Sequence, residues 1–224
     1  MSAAPHSWNP HAPIRVLLAD DHTLVRESLA GMLQADGDVQ VVAQASDGAE
    51  TIEKAIAVRP DVVVTDISMA RLNGIEVVRR LHEALPQTRV LVLTMHQEDE
   101  YVLQAVRAGA SGYLVKDSAA SELLAAVRSL QAGRGYFGPQ AARALAEQMQ
   151  NPQRVVDDPY GRLTAREREV FHLIAEGLTT KEIARQLGIS AKTAENHRTR
   201  VLAKLDVRNT AELVRYALRK GLLD

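Results

Sequence analysis

The sequence predicts two folds in one chain: a doubly wound, five-stranded parallel α/β sheet, followed by an all-α domain of four helices. Three observations predict it. Short β-branched apolar runs alternate with helical patterns through the first 133 residues, as in strands buried on both faces and covered by helices. From Leu163 onward the patterning is helical only, with N-cap signatures at the segment starts. Charge divides at the same place. Residues 1–159 hold 14 Lys and Arg against 20 Asp and Glu, a net of −6, whereas residues 160–224 hold 13 against 8, a net of +5. An acidic front and a basic back point to different partners: cations or phosphates for the first, nucleic acid for the second.

Composition narrows the class further. At 224 residues, 46% apolar and 25% charged, the chain suits two modest globular domains. No stretch approaches the 18 or so apolar residues of a membrane-spanning helix, so no membrane partner is expected. Residues 1–13 lack the basic and apolar regions of a secretory signal and read as a short disordered tail. The absence of Cys excludes disulfides, thiolate zinc sites and Cys nucleophiles, and suits a reducing cytoplasm.

The strands of the front half are read at Ile14–Ala19, Val39–Ala43 after the Gly37 turn, Val62–Val64, Val90–Leu93 and Tyr113–Val115. Between them, Leu24, Leu29, Met32 and Leu33 recur at helical spacing. Ile75, Val78, Leu81 and Leu85 do so next, then Leu123, Leu124, Val127 and Leu130. What ends the strands carries the chemistry: Asp20-Asp21 after the first, Asp66 after the third, Thr94 after the fourth, Lys116 after the fifth. A single Asp or Thr at a strand end is ordinarily a helix N-cap. Five such groups at strand ends converge on one cleft, because open α/β sheets bind ligands beyond the carboxyl ends of their strands.

Three carboxylates in one cleft repel each other, and a hard divalent ion such as Mg²⁺ relieves them. One carboxylate is then available as a nucleophile forming an aspartyl-phosphate, with Lys116 and Thr94 placed to stabilise the phosphoryl oxygens. This chemistry suits either a phosphate-accepting switch or a Mg²⁺-dependent phosphatase or phosphotransferase.

Residues 14–133 resemble the receiver domain of two-component response regulators over its whole length. The resemblance rests on Leu18-Ala19-Asp20-Asp21-His22, Val64-Thr65-Asp66-Ile67-Ser68-Met69, Asn73-Gly74, Leu93-Thr94-Met95 and Gly112-Tyr113-Leu114-Val115-Lys116. It implies a flavodoxin-like sheet, and a phosphoryl group accepted on Asp66 from the phosphohistidine of a sensor histidine kinase. It also implies Mg²⁺ held by Asp21, Asp66 and the Ser68 carbonyl, with Asp20 acting through water. Lys116 would pair with Asp66 or its phosphate, Thr94 would move toward the phosphate, and Tyr113 would follow by rotating inward. Two positions depart from the family pattern: Ala70 stands where Pro is usual after Met69, removing a φ constraint, and Met95 replaces a small residue.

Residues 134–159 shift in composition and read as a linker. Gly133, Gly135, Gly138 and Pro139 end the last receiver helix, Ala141–Gln150 forms a short polar helix, and Asn151-Pro152 and Asp157-Asp158-Pro159 read as turns.

In the back half, Thr164-x-x-Glu167, Thr179-x-x-Glu182 and Asn209-x-x-Glu212 fit a capping box or its Asn relative, and Ser190 is a fourth N-cap. Gly177 and Gly188 stop helices. Segments Thr180–Leu187 and Ala191–Leu205, separated by Gly188-Ile189-Ser190, have helix-turn-helix proportions. On the second, Ala194, His197, Val201, Leu202 and Leu205 share the inward face, while Lys192, Glu195, Asn196, Thr199, Arg200 and Ala203 lie opposite. Such a mixed polar face suits the major groove.

Residues 160–224 resemble the LuxR-type (NarL/FixJ) helix-turn-helix domain. The stretches that carry this are Leu163–Val170, Glu176-Gly177, Lys181–Ala184, Leu187–Ser190, Lys192-Thr193, His197 and Lys204-Leu205. The resemblance implies that Lys181, Lys192, Arg198 and Arg200 approach phosphates and that Glu195, Asn196 and Thr199 face base edges, with Thr193 and Lys204 in the same DNA-binding set. It places a dimer contact on the last helix through Leu213 and Tyr216. Ala194 stands where a larger Val is usual. The expected function is a phosphorylation-dependent DNA-binding transcriptional regulator, homodimeric when phosphorylated, with a sensor histidine kinase, double-stranded DNA and RNA polymerase as partners. A regulator indifferent to phosphorylation is the alternative.

Overall fold

The structure, a computed structural model, describes residues 12–69, 72–150, 159–219 and Leu222. Most of the expected tail, part of the expected linker and the departure at Ala70 lie outside these residues.

The front domain alternates strand and helix: β1 (Ile14–Ala19), α1 (Thr23–Gln34), β2 (Val39–Ala45), α2 (Gly48–Val58), β3 (Val62–Thr65), α3 (Gly74–Ala84), β4 (Arg89–Thr94), α4 (Asp99–Ala108), β5 (Gly112–Val115), α5 (Ala119–Gln131), β6 (Tyr136–Phe137) and α6 (Pro139–Gln150). The sheet is parallel, in the order β2-β1-β3-β4-β5-β6. Strand order therefore reverses between β1 and β3, where an open sheet leaves a crevice at its carboxyl ends. The register pairs Ala19 with Thr65, and the Asp66 N–H donates to the Ala19 carbonyl, so the residues that follow each strand emerge side by side.

Helices cover both sheet faces, and the central strands β1, β3 and β4 are accordingly apolar on both. Leu29, Ala30 and Leu33 of α1 and Leu123, Val127 and Leu130 of α5 close one face over Val16, Leu18, Val64 and Leu93. Helices α2, α3, α4 and α6 close the other over Leu17, Val63 and Val92. At about 1.5–3 kcal/mol for each large side chain buried, these two layers dominate the domain's stability. Leu24, on the apolar periodicity of α1, is instead 82% exposed.

The expected five strands are joined by a sixth, and part of the region read as a linker is built into the receiver. Tyr136 and Phe137 pair with Gly112 and Tyr113, and α6 buries Ala141 and Ala144 in the same core as α4. The small side chains of α6 allow this close packing, which a count of its polar residues conceals.

The back domain consists of α7 (Ala165–Ala175), α8 (Thr180–Gln186), α9 (Ala191–Lys204) and α10 (Thr210–Arg219). Capping boxes start α7 at Thr164 and Glu167 and α8 at Thr179 and Glu182. Ser190 caps α9 by accepting from the Thr193 N–H, and Asn209 accepts from the Glu212 N–H. Gly188, at φ +64°, takes the left-handed turn that lets α9 cross α8 after two further residues. Val170, Phe171, Ile174, Ile183, Ala194, Val201, Leu213 and Ala217 form the core.

Candidate functional site: an acidic cleft and a basic helix

The sheet brings Asp20, Asp66, Thr94 and Lys116 together. Asp20 and Asp66 are nearly covered, at 3% and 5% exposure, and Thr94 is fully buried. The Lys116 ammonium bridges the two carboxylates, 2.5 Å from Asp66 Oδ2 and 2.7 Å from Asp20 Oδ2. The other Asp66 oxygen accepts from the Ile67 N–H at 2.6 Å. Burial raises the Asp66 pKa above the usual carboxylate range, Lys116 and the Thr94 hydroxyl pull it back, and Asp20 adds to the rise. Burial works against the Lys116 charge too, yet Asp66 and Asp20 outweigh it and hold its pKa above the ordinary value. The cleft thus holds a carboxylate in a low-dielectric setting with one cation already on it.

Asp21 lies at the rim. Its carboxylate is 2.7 Å from His22 Nδ1, and ligand atoms of Asp20, Asp21 and His22 all lie within 4.8 Å of one another. Oxygen donors from Asp20, Asp21 and Asp66 are the hard ligands that Mg²⁺ prefers, so the residues present fit that ion. His22, 67% exposed at its side chain, was not among the expected ligands, although its place directly after the aspartates is visible in the sequence.

Beside the cleft, the Thr94 hydroxyl accepts from the His96 N–H at 3.3 Å. Tyr113 is 1% exposed and its hydroxyl donates to the His96 carbonyl at 2.9 Å. The ring is therefore already inward in this arrangement. His96 also bonds the Ser68 hydroxyl through Nε2 at 3.0 Å and stacks on Tyr101, ring centroids 4.3 Å apart. Sequence reasoning missed His96, because nothing in its neighbours marks it. Met95 points outward at 60% exposure and does not fill the cleft.

A second constellation lies on α8 and α9. Lys181, Lys192, Asn196 and Arg200 are exposed. Glu195 and Thr199 are exposed too, Glu195 accepting from the Thr180 hydroxyl and Thr199 donating back to the Glu195 carbonyl. Thr193 bonds the Ser190 cap. Two expected DNA contacts turn elsewhere. Lys204 pairs with Glu167 at 2.6 Å and with the Arg162 carbonyl, and Arg198 bonds the Thr210 hydroxyl at 2.7 Å. The buried carboxylate of Glu167 and the Thr210 hydroxyl at the start of α10 draw these cations inward. Of the expected dimer contacts, Leu213 is fully buried in its own domain's core and Tyr216 is 6% exposed, while Leu218, not singled out in the sequence, is 51% exposed.

Comparison with known proteins finds a family match for each of the two domains. The response regulator receiver domain matches residues 16–128, and the bacterial regulatory proteins of the LuxR family match residues 162–217. The oxygen regulatory protein NreC of Staphylococcus haemolyticus is 38% identical over 216 residues, spanning 94% of this chain and all of that protein. The response regulator ChrA of a heme-sensing two-component system is 37% identical, covers 95% of this chain and all of its own, and superposes with a TM-score of 0.52. RcsB from Salmonella enterica serovar Typhimurium, solved bound to promoter rprA with phosphomimetic BeF3-, is 26% identical, covers 91% of this chain and 98% of its own, with a TM-score of 0.60. With a receiver sheet and a LuxR-type helix-turn-helix joined in one chain, this protein belongs to the response regulators of the NarL/FixJ type, DNA-binding transcription regulators.

Proposed function

We propose that Asp66 is the phosphoacceptor of this regulator and that the basic face of α8 and α9 reads DNA. The observation that carries the first part is the Lys116 bridge between Asp20 and Asp66 in a buried cleft at the β1/β3 switch point. An Asp66 oxygen attacks phosphorus, a P–O bond forms, and the P–N bond to the histidine of a sensor kinase breaks, its electron pair leaving with the imidazole. Lys116 transfers its ammonium from the carboxylate to a phosphoryl oxygen, and Thr94 donates its hydroxyl to another. Asp20, Asp21, Asp66 and the Ser68 carbonyl would hold Mg²⁺, which supplies charge neutralisation at the transferring group. Because Tyr113 is already bonded to His96, movement of Thr94 is felt at once by the His96 loop.

Lys181, Lys192 and Arg200 supply phosphate contacts, and Glu195, Asn196 and Thr199 face the bases. RcsB has been solved as two dimers bound to two parallel DNAs, and a homodimer on two half-sites is the assembly proposed for this chain as well. The chain acts in the cytoplasm beside its kinase and RNA polymerase. Among the described residues no helix is long and apolar enough to cross a membrane. The test is labelling by acetyl phosphate with Mg²⁺. Wild type takes up one phosphoryl group and Asp66→Asn takes up none; retained labelling of the variant overturns the assignment.

A further inference from the structure

The connection between β1 and α1 consists of Asp20, Asp21 and His22 alone, so one short turn crowds two carboxylates and an imidazole together. Among the described residues it is the one group of His, Cys, Asp or Glu side chains whose ligand atoms all approach within 4.8 Å of one another. The backbone holds them there. The Asp20 N–H donates to the Ala45 carbonyl at 3.1 Å, and Asp20 Oδ1 accepts the His22 N–H at 2.9 Å. Lys116 takes the other oxygen of Asp20, and Arg26 binds the Asp20 main-chain carbonyl rather than its carboxylate. Asp20 Oδ1 therefore keeps a lone pair for a further partner.

No structural task explains the place of the imidazole. His22 is the N-cap residue of α1, yet its side chain makes no capping hydrogen bond, and at 67% exposure it packs into no core. Its close neighbours are the two carboxylates: Nδ1 stands 2.7 Å from Asp21 Oδ1 and 3.4 Å from Asp20 Oδ1. Asp21 Oδ1 is a buried oxygen with no hydrogen-bond partner among the described residues, so the close approach of Nδ1 is not aligned for an N–H between the two atoms. An acceptor oxygen and an acceptor nitrogen this close repel unless a cation lies beside both. Neighbouring donors on an octahedral ion with bonds of about 2.1 Å stand about 3 Å apart, and the two separations from Nδ1 bracket that edge.

We propose that His22 Nδ1 is a nitrogen ligand of the metal ion in the cleft, beside Asp20 and Asp21, and that it makes the site select first-row transition ions over Mg²⁺. The inference rests on the metal site of the function proposed above and adds its selectivity. Mg²⁺ prefers an octahedron of oxygens and gives up its waters reluctantly, so an imidazole adds little to its binding. In a mixed nitrogen and oxygen site, affinity climbs instead from Mn²⁺ through Fe²⁺ to Co²⁺ and Ni²⁺.

The experiment uses the full chain, freed of metal with a chelator. Wild type, His22→Ala and Asp21→Asn are titrated calorimetrically with Mg²⁺ and with Co²⁺, and thermal unfolding checks that each variant folds. Wild type is expected to bind Co²⁺ more tightly than Mg²⁺ by roughly tenfold or more. His22→Ala is expected to lose roughly tenfold or more in Co²⁺ affinity, while its Mg²⁺ affinity changes by less than about threefold. Pulsed electron paramagnetic resonance of the Mn²⁺-loaded chain supplies a readout that does not depend on affinity: coupling to a histidine nitrogen in wild type, absent from His22→Ala. If the preference for Co²⁺ survives His22→Ala, or if wild type shows no such coupling, the imidazole is only an ion-pair partner of Asp21 and the inference is overturned. Equal loss of both ions in His22→Ala overturns it too, because the ring then merely shapes the turn. If wild type binds neither ion, or Asp21→Asn binds both as well as wild type does, the metal site itself fails and the inference with it.

Discussion

At the scale of single residues, the cleft depends as much on what is missing as on what is present. Gly74 has no side chain, and the Asp66 carbonyl occupies the space where a Cβ would stand. Gly74→Ala is therefore expected to push α3 away from β3, destabilising the receiver by about 1–3 kcal/mol in urea unfolding and slowing acetyl phosphate labelling. An unchanged midpoint would show that the backbone yields without strain. The polar residues of the cleft were legible in the sequence because each ends or follows a strand, a place where topology alone decides the neighbour. His96 and the inward turn of Lys204 were not legible. His96 acquires its importance from Ser68, 28 residues away, and Lys204 from Glu167, 37 residues away. No local spacing encodes such distances, and Lys204 reads like any other lysine of a basic face.

At the scale of elements, the helices of the back domain were legible almost to their ends because side chains mark them. Thr164, Thr179, Ser190 and Asn209 each accept a backbone N–H where the sequence placed a cap. Removing the cap of the recognition helix with Ser190→Ala should cost about 1 kcal/mol, read as a lower urea midpoint for the back domain with the receiver unchanged. The phosphate contacts proposed for α9 make a separate demand. Lys192→Ala and Arg200→Ala should each weaken binding to all DNA sequences and flatten the salt dependence by about one ion; slopes equal to wild type would remove them from that role. Strand β6 and the packing of α6 escaped the sequence reading for a physical reason. Two residues are too few to show alternation, and Ala141 and Ala144 pack by being small, which no hydrophobic pattern signals.

At the scale of the whole molecule, two cores with opposite net charge should respond differently to acid. His172 is buried in the back domain, bonded to the Tyr160 hydroxyl at 2.8 Å. Burial, with Arg168 acting the same way and Glu76 of the receiver opposing, lowers its pKa from 6.5 to about 4. Between those values the unfolded chain binds a proton that the folded one refuses, so stability falls as pH drops from 6.5 to 4, by up to about 3 kcal/mol. Glu167 acts in the same direction. Its pKa is lowered by Lys204 and Thr164 against the opposing effect of burial, so its stabilisation also fades in acid. Asp66 has the opposite sign: its raised pKa means that the folded receiver takes up the proton first, and acid relieves a buried charge. Glu50, held down to about 2 chiefly by Lys54 and Ser46, works against that gain, but from the receiver surface, where solvent screens it. The back domain should accordingly unfold first on acidification, with its midpoint dropping across the window from 6.5 to 4. His172→Gln keeps a polar partner for Tyr160 and removes the titration, so thermal melts between those pH values should become flatter for this variant than for wild type. Equal slopes would mean that titration of His172 does not set the acid sensitivity of the back domain between those pH values.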